Sequence, residues 1–94
     1  LGNIIFFYPN TGECVKTING HTNYIQSLVF SPDGKYLVSG STDKTMKIWD
    51  VNTGDRLQKC IGFDGDVRRV RFTPDGKYIV TASYDGTVKV WSQE

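Results

Sequence analysis

The chain has 94 residues, a net charge of +1 and 38% hydrophobic residues. A domain of this size buries only about 60–70% of its unfolded surface, so one small fold is its ceiling. Near-neutral charge excludes a chain-wide attraction to nucleic acid or anionic membrane, and the longest apolar run, IIFFY from residue 4 to 8, is far too short to span a bilayer.

Taken in chain order, the local signals are β. Residues 4–7 (IIFF) and 15–18 (VKTI) are the first short runs, followed by 25–30 (IQSLVF), 36–40 (YLVSG), 45–49 (TMKIW) and 57–60 (LQKC), all rich in β-branched, aliphatic or aromatic residues. Pro32-Asp33-Gly34 predicts a tight turn: proline fixes φ, the aspartate bonds its own backbone, and glycine accepts a positive φ. Thr42-Asp43-Lys44 predicts a second turn and Asn52-Thr53-Gly54-Asp55 a third. No stretch carries a helical apolar stripe of useful length, so helix is not expected.

The second half repeats the first. GHTNYIQSLVFSPDG at 20–34 and GFDGDVRRVRFTPDG at 62–76 share one template, and Trp49/Trp91, Phe30/Phe72, Asp43/Asp85 and Gly12/Gly54 all lie 42 residues apart. The register holds from Asn10 onward without insertion or deletion. A fixed period of about 40–45 residues marks a propeller or solenoid, in which each repeat buries its face only against its neighbours. The expected fold is therefore all-β, in repeating units of four short antiparallel strands.

Chemistry-bearing groups are sparse. Cys14 matches Arg56 in the repeat and Cys60 matches Ile18, so no disulfide framework is indicated, and two reduced thiols fit a cytoplasmic or nuclear protein. No secretory signal pattern opens the chain. His21 is the sole histidine and has no second imidazole or paired thiols at ligand spacing. Neither cysteine has a neighbouring histidine, and G-x-S-x-G, G-x-G-x-x-G and P-loop patterns do not occur. No enzyme, cofactor or metal is expected.

Gly20-His21, the run SPDGKYLVSGSTDKTMKIWD and its closing Trp49-Asp50 resemble the WD40 repeat, and 62–92 resembles a second, imperfect copy; the likeness covers about residues 10–94. The resemblance implies a β-propeller of four-stranded blades, about seven in a closed ring, serving as a platform for binding proteins or peptides. It also implies that a histidine, a Ser or Thr, an aspartate and the tryptophan form a hydrogen-bonded set, here His21, Ser41, Asp43 and Trp49. Ser83, Asp85 and Trp91 repeat the set, but Phe63 replaces the histidine. Asp85 is then expected to lose its imidazole donor, and a buried unpaired acceptor costs about 1–3 kcal/mol; Phe63 packing would compensate at a looser edge.

The same resemblance places a contact surface at the start of the innermost strand and beside the turn aspartate: Thr22, Tyr24, Gln26 and Thr42 in one repeat, Asp64, Asp66, Arg68 and Tyr84 in the next. Tyr24, Arg68 and Tyr84 suit an interaction hot spot best. Arg68, Arg69 and Arg71 form the one basic cluster. Alternation puts Arg69 and Arg71 on one strand face and Arg68 on the other unless a bulge intervenes. The cluster reads either as a site for an acidic or phosphorylated ligand or as channel-lining charge, hydrated or paired with Asp64 and Asp66, whose nearness favours the second reading.

Labelling blade strands a to d outward, residues 1–19 supply strands c and d of a preceding blade, 20–61 a first WD40 repeat, and 62–94 a second lacking its last outer strand. This reads as one partial propeller domain of about two repeats, completed by further blades of the same chain. Alternatively, the surface is consumed by packing inside a larger assembly, or copies join head to tail into a ring. Neither nucleic acid nor membrane is an expected partner.

Overall fold

Nine strands run through residues 1–92, which the computed structural model describes. β1 (Asn3–Phe7) and β2 (Cys14–Asn19) form an antiparallel pair. β3 (Ile25–Phe30), β4 (Tyr36–Ser41), β5 (Met46–Asp50) and β6 (Arg56–Cys60) form a four-stranded meander. β7 (Val67–Phe72), β8 (Tyr78–Ser83) and β9 (Val88–Ser92) form a three-stranded one. Strands neighbour each other in chain order and pair antiparallel throughout. The expected all-β architecture of blade-like sheets is the observed one. The outermost two residues of the expected second repeat, 93–94, lie outside the described residues.

The turns form for the reasons their residues supply. Asp33 Oδ1 accepts from Ser31 Oγ at 2.6 Å and from Lys35 N–H at 2.9 Å, while Gly34, at φ +76°, closes the turn onto Ser31 O. Asp75 repeats this with Thr73 Oγ1 at 2.6 Å and Lys77 N–H at 3.0 Å. Lys44 occupies the left-handed region at φ 70° in the β4–β5 turn, and its counterpart one period on is Gly86, at φ 87°.

Neighbouring residues of β4 face opposite sheets, as strand geometry requires. Leu37 points back to Ile4, Ile18 and Trp49, whereas Val38 points forward to Met46, Val67, Val70 and Ile79. There are thus two cores, one at each junction between sheets, and β4 is buried from Leu37 to Ser41 because it is covered on both faces. The sheet's outermost strand, β6, is exposed along nearly all its length.

The second junction is close enough to require glycine. β3 and β4 pack on β7, and a Cβ on Gly40 would stand 2.7 Å from Val67 Cγ1 and 2.9 Å from Val67 O. Ala82 occupies the same place one period later, where no further inner strand presses on it among the described residues. Gly40→Ala should lower stability by about 1–3 kcal/mol through overpacking, read as a drop in thermal midpoint. The loss should shrink in a Val67→Ala background, since one of the two clashes is then gone; an unchanged midpoint for Gly40→Ala alone would contradict this packing.

Candidate functional site

A hydrogen-bond chain runs across the first full sheet. Gly2 O accepts from the N–H groups of Gly20 at 3.1 Å and His21 at 3.0 Å, fixing the backbone that carries the imidazole. His21 Nδ1 lies 2.9 Å from Asp43 Oδ2, and Nε2 lies 2.6 Å from Ser39 Oγ. Trp49 Nε1–H donates to the same Ser39 oxygen at 2.9 Å. The carboxylate can only accept, so Nδ1 carries the proton of the neutral ring; Nε2 then accepts from Ser39 Oγ, which itself accepts from Trp49. The imidazole is thus held neutral in one tautomer.

The serine of this chain is Ser39, not Ser41. Strand register explains the correction: Trp49 pairs opposite Leu37, so Ser39 is its diagonal neighbour and within reach of a long side chain. Ser41 lies a further two residues along, roughly 7 Å away. Its hydroxyl donates instead to Tyr24 O at 2.7 Å and accepts from Asp43 N–H at 3.1 Å, serving the turn. Counting pairs outward from the β4–β5 hairpin is the sequence signal that would have selected Ser39.

The second sheet keeps the tryptophan end of this chain and loses the rest. Trp91 Nε1–H donates to Thr81 Oγ1 at 3.0 Å, with Thr81 in the place of Ser39. Phe63 is buried in the place of His21, its ring 5.7 Å from that of Trp91 and beneath Lys89 Nζ at 5.0 Å. Asp85 accepts from Ser83 Oγ and from Thr87 N–H at 2.9 Å, and it is exposed. The penalty anticipated for a buried acceptor therefore does not arise, because this carboxylate stays in water.

Burial holds the His21 pKa below its ordinary 6.5, and the Asp43 contact offsets this only in part. For Asp43 burial opposes ionisation, but bonds from Thr45 and His21 outweigh it and the pKa falls below 3.8. The signs agree. A histidine with a lowered folded pKa leaves the unfolded state binding more protons just below pH 6.5, so stability falls there as pH falls. An aspartate with a lowered pKa contributes stability above 3.8 that is lost as pH drops through its folded value. Thermal midpoints should thus decline from about pH 7 to about pH 5, and His21→Phe should flatten that limb alone. The variant should also lose about 1–3 kcal/mol, because the fully buried Ser39 hydroxyl exchanges its 2.6 Å bond to the imidazole for a long 3.5 Å bond to Lys47 O. A pH-independent midpoint in the parent chain would refute the assignment.

The contact-surface candidates gather at one end of the two larger sheets. Thr42 N–H donates to Tyr24 O at 2.9 Å, and one period on Tyr84 N–H donates to Asp66 O at 2.8 Å. Tyr24 is 64% and Tyr84 67% exposed. The Arg68 guanidinium lies 4.3 Å above the Tyr84 ring. Gln26 and Arg68 each fall at a register shift near the start of an inner strand, between Ile25 and Ser27 and between Val67 and Arg69. Thr22 N–H donates to Asp43 Oδ2 at 3.2 Å, and Asp64 is exposed on the loop before β7. Among the described residues, no carboxylate lies within 4.0 Å of Arg68, Arg69 or Arg71, so the anticipated pairing with Asp64 and Asp66 is not formed. Arg68 has turned onto an aromatic ring instead.

The model of the "WD domain, G-beta repeat" family matches residues 12–50 and 54–92. The nuclear distribution protein nudF of Aspergillus flavus is 48% identical over 50 residues, 53% of this chain and 11% of that protein. Nuclear distribution protein PAC1 of Gibberella zeae is 46% identical over 48 residues, 51% of this chain and 10% of its own length. The chain thus spans about a tenth of the curated relatives it matches. The WD40 β-propeller domain of Doa1 superposes with a TM-score of 0.91 at 28% identity, covering 99% of this chain and 31% of that one. Propellers of this kind generally serve as protein-interaction scaffolds. With both copies of its repeat matched, the chain belongs to the WD40 family, as part of a β-propeller.

Proposed function

We propose that the end of the sheets bearing the Thr42 and Tyr84 turns is the contact face of a non-catalytic scaffold that holds a protein or peptide. The observation that carries this reading is the stack of Arg68 on Tyr84 at 4.3 Å beside an exposed Tyr24. Exposed aromatic rings cost little entropy to order and bury much area. A planar guanidinium loses less entropy per hydrogen bond formed than a flexible donor, so tyrosine and arginine are enriched at interface hot spots. The stack also holds Arg68 in one orientation, leaving its in-plane N–H groups for a partner's acceptors. Gln26, Thr42 and Asp66 frame these anchors with polar groups, as the rim of an interface requires. A cytoplasmic or nuclear setting suits the two free thiols, Cys14 and Cys60.

A second reading, a segment packed within a larger assembly, is favoured by one feature. β9 is the edge of its sheet, with Val88 and Val90 63% and 64% exposed. In the preceding sheet β6 covers the corresponding edge of β5. A strand from another blade or another copy laid on β9 would bury those valines.

The two readings separate in a capture experiment with the full chain and its Arg68→Glu/Tyr84→Ala variant, quantified partner by partner. The contact-face reading expects the variant to keep its circular dichroism and thermal midpoint and to lose at least one partner about tenfold or more, the effect of removing one hot spot. Retention of every partner by the folded variant would sink it in favour of the packed segment.

A further inference from the structure

Arg68, Arg69 and Arg71 follow one another in a strand whose alternation should part them. The register shift between Val67 and Arg69 prevents this. All three side chains line one concavity of about 450 Å³ between inner strands β3 and β7, together with Gln26 and Ser27. The two strands are tied across it, Val70 N–H donating to Ser27 Oγ at 3.2 Å.

The lining is rich in donors and poor in acceptors. A guanidinium carries five N–H donors and does not deprotonate. Among the described residues these three make one hydrogen bond, Arg71 Nη1 to Val70 O at 3.0 Å, and none faces a carboxylate within 4.0 Å. Arg68 spends one face on Tyr84. Ser27 accepts from Val70 and still has a hydroxyl proton to give, and the Gln26 amide adds two more donors. Like charges held so close repel, so the site gains most from a compact anion with several acceptor oxygens. A phosphomonoester near neutral pH bears about −1.5 to −2 charges and three such oxygens, whereas a carboxylate offers one charge and two.

We infer that this concavity recognises phosphate borne on a side chain of a partner protein. The inference rests on the contact-face reading and extends it, because Arg68 belongs both to the concavity and to the stack on Tyr84. A free phosphate shares the chemistry but would not engage the aromatic rim. A bilayer headgroup is the poorer fit, since the donors line a cleft between two strands rather than a flat face.

The test titrates the full chain with a peptide pool carrying a central phosphoserine among randomised positions, with the same pool carrying serine, with inorganic phosphate, and with phosphatidylserine vesicles. The phosphoserine pool should bind at least about tenfold tighter than the serine pool, with inorganic phosphate competing. Arg69→Gln/Arg71→Gln, at exposed positions, should abolish both effects without moving the thermal midpoint, and Arg69→Lys/Arg71→Lys should restore only part of them because the bidentate fork is gone. Equal binding of the two pools, an unchanged preference in the glutamine variant, or stronger binding to vesicles than to peptides would each overturn the inference. Inorganic phosphate binding that is lost in the glutamine variant but kept in Tyr24→Ala/Tyr84→Ala would support the anion site even where the contact face fails. The reverse pattern would overturn the site and leave the face standing.

Discussion

A small sheet with apolar side chains on both faces cannot hold itself together in water, and that constraint orders the rest of this molecule. β4 shows it most directly: Leu37 and Val38 are consecutive, both buried, and committed to different junctions. The sheet is therefore a layer between two others, and its stability is largely the stability of its contacts. Close approach follows from the same constraint. Gly40 is needed where β4 meets β7 because a repeat that buries itself only on neighbours must bring their backbones together.

The polar chain from Trp49 to Asp43 solves a problem that this layering creates. Ser39 is fully buried within a layer, and a hydroxyl without partners there would be costly. Trp49 and His21 satisfy it from two sides, and Asp43 at the sheet's end orients the imidazole. The second sheet reaches a different solution with the same backbone. Thr81 still accepts from the indole N–H, Phe63 replaces polar contact with ring packing, and Asp85 remains solvated. Substituting a whole set of partners is tolerable where removing one is not.

Much of this was legible in the residues. The 42-residue spacing, the Pro-Asp-Gly turns and the β-branched runs determine the strands, their order and their antiparallel sense. What escaped depends on register and on tertiary choice. Ser39 and Ser41 are both hydroxyls on the same face, both repeated as hydroxyls one period later, and only the pairing of Trp49 with Leu37 distinguishes them. The shifts at Gln26 and Arg68 leave no residue signature, since neither position is glycine. The partnering of the arginines was open as well, because nearness in sequence to Asp64 and Asp66 says nothing about which way a side chain turns once an aromatic ring is available to stack on.

The inner strands show why the two copies have diverged where they have. Residues 25–30 and 67–72 share one backbone role, yet Gln26, Ser27 and Val29 have become Arg68, Arg69 and Arg71. Val67 and Val70, which face β3 and β4, remain apolar and buried. Packing against β3 and β4 holds Val67 and Val70, whereas the place of Val29, which packs against the second core in the first copy, is taken by the exposed Arg71. Charge has accumulated at exposed positions of β7, next to an aromatic residue on a turn that the fold tolerates in either copy as Thr42 or Tyr84. The layered core dictates where such residues can collect, and their chemistry then determines what they can hold.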